Sequence, residues 1–407
     1  MDPTLDACPT GGLPAHARVL DGPGVWLEGD AVDQLARVAR TPGCVAAVGL
    51  PDLHPGPGTP IGATFAFEGR IWPALVGGDM GCGVRLVALD RVKASGDALE
   101  RRVRAELASD PLDGVDAGRL LACVWRDGPR GLLDVPGIPD DLAELAEGEA
   151  PGDGPVGDEP DPGYGHQLGS VGGGNHFLEL ARVHRVVDRS AAAQIGLERG
   201  GYAVIAHSGS RGLGKRLASD WDNVVLAERD AEPWLRQLRG AIHFARANRL
   251  ILCWRMLRAV GAARPGRIAG SLDLTHNTVE AHAGRWLHRK GSAPAEEGRL
   301  TVVLGSRGAE SWLMRGCGSE ACLCSVAHGA GRRYDRGRAL ALMKHRYRRA
   351  ELARTDAGGR VICDDREALY AEHPDCYKAI LPVIDALEAH GAATRVASTI
   401  PLVTVKQ

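Results

Sequence analysis

A chain of 407 residues with 44% hydrophobic content is long enough for one large domain or two to three ordinary ones, and it can bury a substantial core. The formal net charge of −2 excludes a polycation, so nucleic-acid contact must come from a local patch, and the 4% aromatic content argues against broad base-stacking surfaces. No apolar run approaches the roughly 18 residues of a membrane span, the first residues lack the basic-then-apolar order of a secretory signal, and the ten cysteines form no short repeating framework; a cytoplasmic protein with reduced thiols and no membrane partner is expected.

Residues 31–40, AVDQLARVAR, carry helical periodicity, with Asp30 as cap and Pro42-Gly43 as stop. Short apolar runs separated by glycine loops then predict strands at 45–50, 63–67, 71–76 and 84–89, with a turn at Glu68-Gly69. A helix is expected around 96–108. The acidic, Pro- and Gly-rich stretch 147–165 reads as an exposed loop serving as a mobile lid or an internal linker. Motifs of one kind lie on both sides of it, so it does not mark a domain boundary. Strands at 176–180, 202–206 and 301–304 adjoin glycine-rich loops, an arginine-rich helical region spans 231–260, and helices are expected at 337–350 and 376–390 before a closing strand. The fold class is α/β (mixed α+β), with central mixed β-sheets flanked by helices and functional loops at strand ends.

Four strings set a candidate metal ligand among glycines or beside a small polar residue: GGDMGCG with Asp79 and Cys82, GGGNHFLE with His176, AHSGSRGLG with His207, and THN with His276. Any one of these histidines reads equally well as a surface or satisfied core residue. Together they are harder to dismiss, because an Asp and a Cys three apart across a glycine turn can converge on one point. Three imidazoles then complete an O/S/N set suited to Mn²⁺, Fe²⁺ or Zn²⁺, and a shared thiolate would make a two-metal site. Such a site activates an oxygen nucleophile and polarises a phosphoryl group. SVGGGN, HSGSRGLG and HGAGR add backbone N–H groups in turns that favour anions, which points to phosphate chemistry.

Arg211 and Arg332 each follow a histidine, His207 and His328, by four residues, a setting suited to bidentate phosphate contacts, with a solvated arginine as the alternative. The arginine runs within 236–258 and 332–349 are read first as solvated helix faces and second as nucleic-acid contacts. CGSEACLC brings Cys317, Cys322 and Cys324 close together, but three ligands at irregular spacing favour buried or loop thiols over a zinc knuckle.

In order and spacing these strings resemble the RtcB family of RNA ligases, through PDLHPGPGTPIGA (51–63), GGDMGCGVRL (77–86), LGSVGGGNHFLE (168–179), HSGSRGLG (207–214), HN (276–277), HRKGS (288–292), GSRGAES (305–311), HGAGR (328–332) and the terminal VTVKQ. The resemblance implies one RtcB-like catalytic domain over 1–407 that joins an RNA 3′-phosphate or 2′,3′-cyclic phosphate to a 5′-hydroxyl, using GTP and two Mn²⁺ ions, in RNA repair or tRNA splicing. It implies that His328 becomes guanylylated, that Asp52 orients it, and that Asp79, Cys82, His176, His207 and His276 hold the metals. Guanylate contacts would fall on Asn175, His176, Phe177, Leu178 and Glu179, on His276 and Asn277, on Leu304, Gly305, Ser306, Arg307 and Ser311, on His328, Gly329, Ala330 and Gly331, and on Lys406, with Tyr377 stacked on guanine. The RNA phosphate would meet Arg211, Lys290 or Arg332, and an activating protein is a further partner the resemblance allows.

Asp335 stands where the family commonly has serine, Arg307 where it usually has methionine, and the PDLHPGPGTP string and Met80 are milder variants. These departures suggest a divergent branch devoted to repair of cleaved tRNA or rRNA. Two rivals remain: a dinuclear metal phosphohydrolase acting on phosphoesters, and a non-catalytic RNA-associated homologue.

Overall fold

The strands Ile268–Thr275 and Asn277–His282 are separated by His276 alone, yet they belong to different sheets. Around this crossover a computed structural model, which describes residues 12–92, 96–110, 112–221 and 224–407, builds a mixed α/β fold. The larger, eight-stranded sheet runs Leu300–Val303, Ser311–Gly316, Ala393–Lys406, Phe177–Val186, Tyr202–Ser208, Gly83–Leu89 and Ile268–Thr275, with Arg360–Cys363 added in parallel beside the C-terminal strand. The five-stranded sheet runs Ala17–Val19, Cys44–His54, Ile61–Phe67, Arg285–Lys290 and Asn277–His282. A two-residue-turn hairpin therefore carries the chain out of the crossover and back toward it.

The central strands of the larger sheet read as nearly continuous apolar runs because both faces are buried. Val204 and Ala206 face one layer and Ala203 and Ile205 the other. The first layer is dominated by the 28-residue helix Glu232–Ala259, whose Trp234, Phe244, Ile251 and Trp254 are fully buried. Truncating any of these aromatics to alanine should cost about 3–5 kcal/mol. The smaller sheet packs the helix Gly29–Ala39 against Phe65 and Phe67 on one face, and Ile380–Ala389 near Val48 and Leu50 on the other.

Several expected elements sit where the patterns put them, including Gly96–Ala108 and Ile61–Phe67. The first helix begins two residues earlier than expected, at Gly29, with Glu28 as N-cap and Asp30 inside its first turn. The run 71–76 is not a strand: Pro73 has no N–H to donate to a ladder, so the chain leaves the two-residue strand Arg70–Ile71 for a 3-10 turn at Pro73–Leu75. The helix expected from 376 begins at Ile380, after a 3-10 turn at Pro374–Cys376. Helices Ala117–Asp127 and Asp140–Glu147, and the strands between 268 and 294, had no clear sequence signal.

The acidic stretch 147–165 is tied down rather than free. Glu149 pairs with the buried Arg85, the Trp125 indole donates to the Gly157 carbonyl at 2.9 Å, and the Asp153 N–H donates to His243 at 3.1 Å. Two arginines of the long helix also depart from the expected solvated face. Arg249 is fully buried on Asp273, and Arg255 donates to the carbonyls of Gly169, Glu106 and Ser109. Neither is available to a nucleic acid. Among the described residues every cysteine is a free thiol, and no helix is long and apolar enough to cross a membrane.

Candidate active site

Antiparallel order brings four strand ends to one rim of the larger sheet. Phe177 pairs with His207, Val84 with His207, and Gly83 with Thr275. Hence Cys82 and His176, each just before a strand, lie beside His207 near a strand end and His276 just after one. The Gly83 position tolerates no side chain, since a Cβ there would sit 2.0 Å from the Leu274 carbonyl oxygen. That close approach lets Cys82 and His276 share the rim.

The donors converge. Cys82 Sγ lies 3.3 Å from His176 Nε2 and 3.4 Å from His207 Nε2, and the latter is 3.3 Å from His276 Nε2. Asp79 Oδ2 is 2.8 Å from His176 Nε2. Sulfur and nitrogen bound to one zinc-like ion would stand about 3.1 Å apart at right angles and about 3.6 Å apart at the tetrahedral angle, so these separations fit common coordination. The Nδ1–H of His207 donates to the Asn175 carbonyl at 3.2 Å, which turns its Nε2 lone pair inward.

Electrostatics agree with the donor chemistry. Burial, helped by neighbouring imidazoles, holds His207 and His276 well below the ordinary histidine value, so both are neutral donors. Burial, reinforced by Asp79, pushes the Cys82 thiol well up, so a cation among these ligands must displace its proton. Arg211 donates to His176 Nδ1 at 3.0 Å, leaving the Nε2–H of that ring for Asp79. A cation at Nε2 takes the place of that proton and requires Arg211 to release Nδ1. The guanidinium lies over Gly172, where a Cβ would meet it at 1.7 Å.

His328 follows the strand Ser325–Ala327 and faces this cluster, its ring 4.9 Å from that of His276. Its Nδ1 is 2.7 Å from Oδ2 of Asp52, a carboxylate with no solvent exposure. The approach is bent away from the ideal N–H direction, so the contact is close without being a straight hydrogen bond. Asp52 is held in turn by its neighbours. Lys378 donates to the carbonyls of Pro51 and Leu53, and Gly331, at φ +76, lies so close that a Cβ would come 2.3 Å from the Asp52 carbonyl oxygen.

A cleft opens beside His328, enclosing with its solvent-filled mouth about 850 Å³. Of the residues expected around guanylate, Asn175, Phe177, Glu179, Leu304, Gly305, Ser306, Arg307, Gly329, Ala330, Gly331, Tyr377 and Lys406 line it. Ser311 supports it from behind, its Oγ accepting from the Gly305 N–H at 3.0 Å. Leu178 does not reach it: side chains alternate across a strand, and Leu178 points into the core on the helix side while Phe177 and Glu179 face the other way. His276 and Asn277 line a second cavity with Asp79, Cys82, Lys290 and His328. There Lys290, lowered to about 8 by burial, donates to Thr59 at 2.6 Å.

Arg332 is fully committed within the chain, donating to Glu372, the Tyr377 hydroxyl and the carbonyls of Ala371 and Tyr334. The shared partner Glu372, which also meets Lys406 at 3.5 Å, had no motif to reveal it. Burial raises Glu179 to about 8, against the pull of Thr404 and Lys406, and its Oε1 has no partner. Asp335, odd as a charge beside an anion site, has a local job: it caps the helix Arg336–Arg346 by accepting from the Arg338 N–H at 3.0 Å. Arg307 turns its guanidinium to the Leu369 carbonyl at 3.2 Å.

Comparison with known proteins agrees with the motif order. A sequence model of the family described as tRNA-splicing ligase RtcB matches residues 34–232 and 224–407. The chain is 35% identical over 396 residues to the RNA-splicing ligase RtcB2 of Escherichia coli, spanning 94% of this chain and 93% of that protein. It is 31% identical over 437 residues to the RNA-splicing ligase RtcB of Mycobacterium tuberculosis, spanning 92% of this chain and all of that protein, at 100%. Identity to the tRNA-splicing ligase RtcB of Archaeoglobus fulgidus is 29% over 444 residues, spanning 93% and 92% of the two chains.

Proposed function

The chain belongs to the RtcB family, and we propose that it is an RNA ligase joining a 3′-phosphate or 2′,3′-cyclic phosphate end to a 5′-hydroxyl end through guanylate carried on His328. The observation that carries this reading is the position of His328, between a thiol–imidazole–carboxylate cluster and a cleft lined by the residues expected around guanylate, with a buried carboxylate at its far nitrogen. A hydrolase using the same metals would have no need of that carboxylate–imidazole pair.

With Nδ1–H facing Asp52, the imidazole presents the Nε2 lone pair as nucleophile. Nε2 attacks the α-phosphorus of GTP, the N–P bond forms, and the bond to the departing pyrophosphate breaks. The buried Asp52 charge offsets the positive charge that grows on the ring. An oxygen of the RNA 3′-phosphate then attacks the same phosphorus, the N–P bond breaks, and the electron pair returns to Nε2. The 5′-hydroxyl finally attacks the activated 3′-phosphate, GMP leaves, and a 3′,5′-phosphodiester remains. A cyclic end must first be hydrolysed to the 3′-phosphate. Two divalent ions held by Asp79, Cys82, His176, His207 and His276, Mn²⁺ by family resemblance, would neutralise charge on phosphoryl oxygens.

The pocket supports guanine over adenine. Once ionised, as two facing donors would favour, Glu179 would accept from the adjacent N1–H and 2-amino groups of guanine, whereas adenine offers an unprotonated N1 there. Tyr377, on the cavity wall, offers a ring face. Lys290 in the second cavity and Arg211 beside His176 border the metal cluster and would meet an RNA phosphate, with the exposed Arg336 at the mouth of both cavities, whereas Arg332 orders Tyr377 and Glu372. We take 1–407 as one catalytic domain, because a single buried cluster joins Trp125 and Leu142, before the acidic stretch, to Leu168, Trp234 and Val405 after it.

The test is incubation with Mn²⁺ and GTP labelled at the α-phosphate. Acid-labile, alkali-stable label should appear on the protein and vanish in His328→Ala. Absence of label on the wild type overturns the ligase chemistry, and label surviving in the variant overturns the choice of nucleophile. Sealing of cleaved tRNA and rRNA fragments, compared side by side, then reads the RNA the divergent motifs serve.

A further inference from the structure

The three cysteines of CGSEACLC do not assemble. Cys322 Sγ points to the His390 carbonyl at 3.8 Å, and the Cys317 backbone pairs with Ala392. Cys324 instead meets two donors from elsewhere. Its Sγ lies 3.4 Å from Glu320 Oε1 and 3.9 Å from His282 Nε2, and those two are 3.0 Å apart. Three chemically different donors thus converge from a hairpin end, a 3-10 turn and the segment leading to His328.

From this geometry we propose a second, mononuclear cation site of the Zn²⁺ or Co²⁺ class, formed by His282, Glu320 and Cys324 and distinct from the cluster at Cys82. Sulfur, nitrogen and oxygen bound tetrahedrally to zinc stand about 3.3–3.6 Å from one another; the observed 3.0, 3.4 and 3.9 Å differ from this by small side-chain adjustments, of about 0.3 Å. Imidazole, thiolate and a carboxylate together suit a borderline-soft divalent ion. The site is not closed: the His282 and Glu320 side chains are 28% and 66% exposed, so water completes the shell. The nearby cations have other primary partners: Arg285 pairs with Glu68, and Arg289 with Glu280 and Glu296, while each still acts at longer range on one ligand, Glu320 and Cys324 respectively.

The backbone is shaped to present the sulfur. Leu323 (φ 50) and Cys324 (φ 44) are consecutive left-handed residues, a conformation that L side chains rarely adopt and that persists where the surroundings enforce it. Besides the hairpin turn at Ala283 and Arg211 in the first cluster, they are the only such non-glycine residues among the described ones. Ser325–Ala327 begins directly after Cys324 and ends directly before His328. A cation here ties the hairpin Asn277–Lys290 to the strand that leads to the imidazole, a structural role four residues from the chemistry.

The experiment uses the full chain carrying Cys82→Ser, so that the other thiol cannot report, and titrates it with Co²⁺ alone. A near-ultraviolet sulfur-to-cobalt band should reach the amplitude of one thiolate–cobalt bond per chain, disappear with Cys324→Ser, and persist with Cys317→Ser or Cys322→Ser. No band in the Cys82→Ser protein, a band surviving Cys324→Ser, or one lost with Cys322→Ser overturns the site. If Cys82→Ser does not fold, zinc bound after equilibrium dialysis is compared between the wild type and the Glu320→Gln and His282→Gln variants. A drop of one equivalent supports the site, and an unchanged content overturns it.

Discussion

Replacing Asp52 by asparagine removes one charge while keeping the shape of the side chain. The carboxylate is fully buried, and its Oδ2 lies 2.7 Å from Nδ1 of His328. When Nε2 takes guanylate, the ring becomes positive, and the charge centres are then about 4 Å apart; at an effective dielectric of about 20 their attraction is about 4 kcal/mol. The bent approach lowers the share realised in the transition state, so the expected loss is about 100- to 1000-fold in the rate of guanylate transfer. The backbone around position 52 should hold, since Lys378 donates to both flanking carbonyls and His54 Nδ1 sits 2.8 Å from the Asp52 carbonyl. The assay is single-turnover labelling from α-labelled GTP at saturating nucleotide, with melting followed by circular dichroism as the fold control. A folded Asp52→Asn protein that labels within about threefold of the wild-type rate would refute the electrostatic role of this carboxylate.

Glu179→Gln should remove a pH-dependent cost. The folded value of Glu179 is raised to about 8 by burial, so its contribution is present at low pH and lost as pH rises from its ordinary value near 4.5 through 8. Without nucleotide the variant should therefore gain on the wild type across that window, by a few kcal/mol at most, roughly 1.4 kcal/mol per pH unit, in urea melts at pH 5 and pH 9; parallel curves would contradict it. The same variant should discriminate less between GTP and ATP, by about 1–3 kcal/mol in competition binding. Asp335→Ala should lower stability by about 1 kcal/mol through loss of the helix cap, with Asp335→Ser near wild type, and labelling by GTP unchanged in both. A labelling defect in Asp335→Ser would show that the charge itself acts at the anion site. Arg249→Met leaves Asp273 only the longer pairing with Arg85 at 3.8 Å and frees the carbonyls of Gly81 and Ser208 that flank Cys82 and His207, so a loss of about 3 kcal/mol and weaker metal uptake are expected in denaturant melts and dialysis.

Arg249 also shows where reading from sequence stopped. An arginine every few residues along a helix reads as a wet face, and only packing reveals that this one is interior, bridging an aspartate and two carbonyls. Glu372 was invisible for the opposite reason: no motif surrounds it, and its importance comes from Arg332 and Lys406 arriving from two distant segments beside the nearby Tyr377. The parity of one strand separates Glu179 from Leu178, a distinction that alternation would have supplied once the strand boundaries were known. Asp335 was legible in principle, since an aspartate three residues before a helical N–H is an N-cap signal.

By themselves the residue strings determined the kind of chemistry, because Asp, Cys and His among glycines are the groups that bind divalent ions and leave backbone N–H groups open to phosphate. They also determined the family, through the order of many short motifs. Tertiary structure decided the geometry. Antiparallel pairing of distant strands places Cys82, His176, His207 and His276 on one rim, and the join between two sheets sets Asp52 behind His328. It also separated Cys324 from its neighbouring cysteines and gave it His282 and Glu320 instead. Spacing along a chain says which donors can share a turn, whereas meetings between distant segments depend on the register of strand pairs, which no local pattern encodes.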